Sequence, residues 1–469
     1  MKDIVSSDHQ HIDHNQYFAQ RQLKTGAVGW LLLIGLGVSY VISGDFAGWN
    51  FGIAQGGWGG LFIATVVVAI MYLCMSLTMS EMSTMLPTAG GGYSFARVAF
   101  GQFGGYLTGT AILMEYAIAP AAIAVFIGNY CEMLFGLNGW MIYIFCYAFF
   151  MFIHLKGAGE ALKIMFVITA IACVALVVFL AAMLPYFNIN NLFNIQVSNN
   201  IGATAFLPFG YMGVWAAVPF AIWFFLAVEG VPLAAEEAKD PVKSLPRGLI
   251  GSMLILATFA LLILFLSTGA VGADFIQNSG APLVDALSTI YGKNAWVTHF
   301  VNFVGLAGLV ASFFSIIYAY SRQVFALSRA GYLPRFLSLT NQNKAPTMAI
   351  IIPGIIGFLL SLTGEGDLLI LMAVFGATIS YVLMMLSHIK LRLSRPELER
   401  PYRTPGGIYT SAFALLLAII AVIAGLMVDI KVWLMSAAIY SAFIIYYIVY
   451  SRHHLVKGTP EQAFTRIDH

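Results

Sequence analysis

Four acidic residues stand inside stretches that are otherwise apolar: Asp45, Glu81, Glu115 and Glu229, with Glu132 near the end of another such stretch. No Lys or Arg lies deep in these runs, so the sequence offers the carboxylates no permanent partner. A charge at the centre of a bilayer costs on the order of 3 kcal/mol even on insertion-based scales. Such a group faces the protein interior, carries a proton, or meets a cation that comes and goes. A small cationic substrate, Na⁺ or H⁺ each fits that asymmetry, and the chemistry implied is cation handling.

The sites differ in their surroundings. Glu81, in SEMSTMLPTAGG, lies near the end of its run, where a structural or gating role is the plain reading. Glu115, in LMEYAIAP, reads either as a protonated helix–helix hydrogen-bonder or as a handler of substrate or protons. Asp45 and Glu229 sit at helix breaks. VISGDFAGWN (41–50) sets Asp45 among Gly44 and Gly48, and Glu229-Gly230 is followed by Pro232. Pro232 has no N–H and its ring clashes with the preceding turn, which predicts an opening around 227–231. Unwound backbone inside a membrane is tolerated only where protein, water or ligand satisfies it, so both breaks are candidate binding positions.

The elements that must position these residues follow from composition. The chain has 469 residues, 60% hydrophobic and only 9% charged, against roughly a quarter charged for soluble domains. Apolar stretches near 27–54, 59–85, 100–135, 139–155, 160–184, 213–236, 247–272, 295–327, 347–363, 367–391, 408–428 and 431–451 predict an all-α polytopic membrane protein with twelve transmembrane helices, termed spans 1–12 here. Of the 23 Lys and Arg residues, all but Lys293 and Lys431 fall in the termini and the even-numbered loops. By the positive-inside rule those segments, and both termini, are expected in the cytosol. Interruptions in spans 1 and 6, five apart, point to inverted repeats around a midplane site made from half-helices. The expected layout is a cytosolic tail over 1–25, a first repeat over 26–184 and a second over 213–391. A charged, Pro-rich connector (392–407), spans 11 and 12 (408–451) and a cytosolic tail (452–469) complete it.

Other chemistries find little support. Cys74, Cys131, Cys146 and Cys173 stand singly, and no CxxC pair marks a metal or redox site. His9, His11 and His14 lie in a polar tail, and Gly90-Gly91-Gly92 lacks the Lys-Ser/Thr of a phosphate loop. Basic residues are spread over loop ends as topology anchors, not gathered into a nucleic-acid patch. No catalytic constellation is present, so neither an enzyme nor a cofactor is expected.

Several stretches together resemble the amino acid–polyamine–organocation permeases, most closely their ethanolamine permease branch. They are GDFAGWNFGIAQGGWGG, SEMSTMLPTAGGGYSFARVAFG, LMEYAIAPAA, EGVPLAAEEAKDPVKSLPRG and YSRQVFALSRAGYLPRFLSLTNQNKAPTMAI. The resemblance implies a leucine-transporter-type fold: two five-helix inverted repeats with broken helices 1 and 6, plus two peripheral helices. It implies alternating access around a site between spans 1, 3, 6 and 8. In amino-acid-carrying members a Gly-Ser-Gly stretch in span 1 takes the substrate carboxylate. Here Ile42-Ser43-Gly44-Asp45 keeps Ser43 and Gly44, replaces a glycine by Ile42, and adds the charge of Asp45. Glu229 stands where the family usually has an apolar residue before the span 6 glycine, here Gly230.

These departures carry a substrate argument. Two like charges about 4 Å apart repel by roughly 4 kcal/mol at an effective dielectric near 20, or about three orders of magnitude in affinity. The expected substrate is therefore an amine without a carboxylate, such as ethanolamine. Asp45 and Glu229 are expected to hold its ammonium together, and Ser43 or carbonyls near Tyr40 and Leu226 its hydroxyl. Tyr40, Phe46 and Tyr116 are candidate walls with cation–π attraction. Where some proton-coupled relatives carry a mid-helix lysine in span 5, this chain has Ala172, flanked by Ile171 and Cys173. Proton coupling through Glu115 or Glu229, exchange, and facilitated uptake are the routes left open. The expected function is a secondary transporter importing ethanolamine or a close small amine across the cytoplasmic (inner) membrane, with H⁺ as candidate co-substrate. The alternatives are a cationic amino acid or polyamine carrier, and a non-transporting amine sensor.

Overall fold

The computed structural model describes residues 14–23, 25–26, 28–137 and 139–459. A short helix, α1 (His14–Ala19), precedes the bundle. Span 1 comprises α2 (Trp30–Val41), α3 (Ser43–Phe46) and the first turns of α4 (Asn50–Met85), which continues into span 2. Gly57, at φ +68°, makes the corner between them, a conformation that glycine alone adopts cheaply. Next come α5 (Gly92–Phe135), α6 (Gly139–Leu155) and α7 (Ala158–Met183). Span 6 divides into α8 (Gly210–Trp223) and a 3₁₀ segment, Val228–Glu237. The rest of the chain forms α9 (Pro241–Val271), two short helices α10 (Ala273–Ile276) and α11 (Pro282–Tyr291), α12 (Trp296–Arg329), α13 (Thr347–Ser361) and α14 (Gly366–Ser394). It closes with α15 (Ile408–Val428), α16 (Ile430–Tyr446) and a last turn, α17 (Arg452–His454).

Each of the twelve expected stretches is helical. Among the described residues, nine segments are long and apolar enough to cross a membrane, and three shorter apolar helices, α2, α6 and α13, accompany them. The outer faces are apolar at helical spacing: Ile164, Val167, Ile171 and Val174 of α7 are all exposed. A soluble helix puts polar residues there; lipid accepts apolar ones. Polar and charged side chains instead line the interior, where α14 packs along α5, α12 against α5 and α7, and α4 against α8 and α9.

The basic end of the bundle is more tightly fastened than its sequence suggests. α1 and the residue Arg21 that follows it are strapped onto this end. Tyr17 donates its hydroxyl to the Arg329 carbonyl at 3.0 Å, and Arg21 Nε donates to Ser338 Oγ at 2.9 Å. His9 and His11 lie outside the described residues.

Glu81 also departs from expectation, because it has partners. Arg392 of α14 donates Nε to Oε1 (2.8 Å) and Nη2 to Oε2 (2.5 Å). Arg400 Nε lies 3.1 Å from Oε1, His388 Nε2 3.2 Å away, and the Thr404 amide donates to Oε2 at 2.7 Å. These cations come from the end of α14 and from the connector, which the linear sequence places more than 300 residues away. The connector does not merely set spans 11 and 12 apart; it is clamped onto span 2.

Candidate substrate site

The sequence sets the helix breaks within VISGDFAGWN (41–50) and around 227–231, and the chain leaves regular helix in both places, at Ala47–Gly48 and over 224–227. In span 1, Ile42 still donates its amide to the Val38 carbonyl, and α3 continues to Phe46. The chain opens after Asp45, where Ala47 is extended (φ −157°) and Gly48 adopts φ +94°. Protein groups satisfy the freed backbone. Tyr130 donates to the Phe46 carbonyl at 3.0 Å, Trp223 Nε1 to the Ala47 carbonyl at 2.9 Å, and the Gly48 amide to Asn50 Oδ1 at 3.2 Å. In span 6, regular helix ends at Trp223, and Ala227 takes the left-handed conformation at φ +78°. An alanine there costs of order 1 kcal/mol, which only surrounding contacts can impose. Pro232 lies within the 3₁₀ segment that follows, so the opening falls a few residues before it. Gly44 lets the two breaks touch: a Cβ there would lie 2.6 Å from the Trp223 carbonyl oxygen.

The 3₁₀ segment turns Glu229 inward, to 3% exposure. Its Oε1 accepts from the Tyr116 hydroxyl of α5 at 3.2 Å, and its Oε2 from the Tyr381 hydroxyl of α14 at 3.3 Å. Tyr381 is in turn bonded to Tyr72 of α4 at 2.6 Å. Glu115, one residue before Tyr116 and fully buried, lies against Glu229; among the described residues no side-chain donor meets its oxygens, and the donor that faces them is the Ala227 backbone amide. Gly230 floors the group. A Cβ there would lie 3.1 Å from both the Tyr116 hydroxyl and the Tyr40 ring. The Tyr40 hydroxyl is buried without a hydrogen-bond partner among the described residues. The structure thus joins Tyr40, Glu115, Tyr116, Glu229 and Gly230 in one sealed polar cluster inside an apolar bundle.

The other expected residues have different neighbours. Ser43 Oγ is bonded to Ser312 Oγ at 2.8 Å, and Ser312 donates to the Tyr40 carbonyl at 2.7 Å, so these groups tie span 1 to α12. Phe46 packs onto Gly305 and Gly308 of α12 as ordinary core. Leu226 is buried in the irregular turn. Asp45 is not paired with Glu229. It is wholly buried, both oxygens lack a hydrogen-bond partner among the described residues, and Cys173 of α7 is close enough to feel its charge. On a four-residue helix whose Ser43 and Phe46 face α12, position 45 necessarily points elsewhere.

Sequence reasoning missed Tyr72 and Tyr381. Both are tyrosines in apolar spans, a weak sign of a buried hydrogen bond, but nothing in linear spacing pairs them. Toward the basic end, Glu237 is held by Arg322 (2.8 Å) and Tyr318 (2.5 Å), and Glu236 by Arg329 (2.7 Å) and the Ala89 amide (2.9 Å). These pairs lock span 6 to α12 and close the bundle beneath the cluster.

Known proteins share this chain's sequence over most of its length. The amino acid permease family matches residues 28–450. An uncharacterized transporter of Rhizobium meliloti is 27% identical over 79% of this chain and 80% of its own. The branched-chain amino acid permease BcaP of Bacillus subtilis is 24% identical over 90% of this chain and 92% of its own. The methylthioribose transporter of the same organism is 25% identical over 80% and 81%. A helical bundle with broken helices, acidic groups sealed at its centre, and a family match spanning both breaks all lead to one conclusion: this chain belongs to the amino acid permease family, and is a membrane transporter and not an enzyme.

Proposed function

We propose that this permease carries ethanolamine, or a close small amine without a carboxylate, by alternating access at the Glu115–Glu229 cluster. The observation that carries the reading is the pairing of two buried carboxyl groups that no Lys or Arg touches among the described residues. Arg322 of α12 is already engaged by Glu237. An ammonium supplies the missing partner, and the phenols of Tyr40, Tyr72, Tyr116 and Tyr381 supply aromatic faces and hydroxyls around it. A substrate carboxylate brought into the same space would be repelled by several kcal/mol. The relatives range from a branched-chain amino acid permease to a methylthioribose transporter, so family membership alone leaves the substrate open and the site must select it.

In this reading spans 1–5 and 6–10 are the two inverted repeats, twelve helices cross the cytoplasmic membrane, and both termini lie in the cytosol. The test is uptake of labelled ethanolamine into liposomes, with imposed pH and Na⁺ gradients and with serine, putrescine and lysine as competitors. Serine is expected to compete at least about a hundredfold more weakly than ethanolamine. Equal competition by serine overturns the reading. Stronger competition by lysine or putrescine makes the protein a cationic amino acid or polyamine carrier, and binding without uptake makes it a sensor.

A further inference from the structure

The two acids of the cluster have unlike surroundings. Both Glu229 oxygens receive phenol protons, from Tyr116 and from Tyr381, whose own oxygen is held by Tyr72. Glu115, fully buried beside it, receives no phenol; the donor facing it is the backbone amide of Ala227. Two carboxylates in contact cannot both ionise in a water-free site. The donors differ: two phenol hydroxyls converge on Glu229, one on each oxygen, against a single backbone amide facing Glu115, so the negative charge is better met on Glu229. A protonated carboxyl has one O–H to give, and Glu229 is the acceptor within reach. The other titratable groups facing the pair are the phenols of Tyr72 (α4), Tyr116 (α5) and Tyr381 (α14), with Tyr40 of α2 facing Glu229. One layer away, Arg322 of α12 and Glu237 neutralise each other.

We propose that the two acids divide the work: Glu115 keeps a proton and donates it to Glu229, and Glu229 alone presents the charge that meets the substrate ammonium. This rests on the amine reading of the site and deepens it. The empty pair holds one proton and one negative charge. Adding R–NH₃⁺ brings the site to neutrality, and no proton is gained or lost. Glu115 is then a positioning residue that holds the Glu229 carboxylate toward the ligand and keeps the site singly charged. The selectivity consequence is direct. A monocation balances the site, whereas a diamine such as putrescine brings one positive charge too many.

The test uses full-length purified protein, equilibrium binding of labelled ethanolamine, and a pH-indicator dye in weak buffer. Wild-type protein is expected to bind the amine without releasing a proton, and to bind putrescine at least about tenfold more weakly. Glu115→Gln, which keeps an N–H donor toward Glu229, is expected to lose at least about tenfold less affinity for ethanolamine than Glu229→Gln, and Glu115→Leu to lose more than Glu115→Gln. Release of one proton per amine bound by wild-type protein overturns the division of roles, and that measurement needs no variant. Loss of binding in Glu115→Gln as deep as in Glu229→Gln overturns it as well, as does putrescine binding equal to that of ethanolamine. Failure of wild-type protein to bind any amine removes the proposed function and this division together; binding with proton release removes the division alone.

Discussion

Replacing Glu229 by Gln removes one charge and leaves the shape of the side chain intact. The amide oxygen still accepts from one of the two phenols, while the NH₂ end cannot accept from the other, so either the 3.2 Å bond to Tyr116 or the 3.3 Å bond to Tyr381 is lost. For an ammonium about 4 Å from the carboxylate, at an effective dielectric near 20, the lost attraction is about 4 kcal/mol. The surviving amide oxygen returns about 1 kcal/mol of that as an ordinary hydrogen bond. The expected loss of affinity is therefore about a hundredfold or more. Stability moves the other way, or not at all, because a carboxylate only 3% exposed no longer has to be kept from water in the empty protein. The assay is equilibrium binding of labelled ethanolamine combined with thermal unfolding in detergent. Binding must fall while the unfolding temperature holds. An affinity within about threefold of wild type refutes the electrostatic account, since no re-packing of Gln replaces a full charge.

Asp45→Asn is expected to leave amine binding within about threefold of wild type, because Asp45 lies beside Cys173 and away from the cluster; a loss matching that of Glu229→Gln would return Asp45 to the site. Glu81→Gln leaves Arg392 and Arg400 around a neutral amide, and should destabilise the protein by about 3 kcal/mol, read as earlier thermal unfolding with ligand affinity preserved. Gly44→Ala puts a methyl 2.6 Å from the Trp223 carbonyl oxygen and should cost about 1–3 kcal/mol, visible as lower folded yield.

The helical bundle was legible because lipid imposes a length and a composition on each span, and because Lys and Arg gather at loop ends. Glu115 and Glu229, the two acids that the fold brings together, were conspicuous for a related reason: buried charge is expensive, so its presence is informative. Their immediate neighbours in the chain, Tyr116 and Gly230, came with them. Asp45 was misplaced because the direction of a side chain beside a break depends on backbone angles that composition does not encode. The sequence sets Asp45 at the break; the fold opens the chain two residues later, at Ala47, and buries the carboxyl without the phenols that hold Glu229. Tyr72 and Tyr381 escaped notice because a hydrogen bond joining residues 309 positions apart leaves no local trace. The guanidinium groups around Glu81 were discounted for the opposite reason. As positive-inside anchors they were already explained, and a residue with one sufficient role seldom prompts a search for another.

The grip of the connector on Glu81 bears on where this protein can be cut. Ten helices are enough to build a pair of five-helix repeats, and the last two look like an appendage that could be deleted. A chain ending after Ser394 would keep Arg392 and His388 but lose Arg400 and the Thr404 amide, leaving a buried acid half-clothed at the basic end of span 2. Residues 395–407 therefore act as a buckle, and the ten-helix unit is complete only when the strand that follows it has been fastened back.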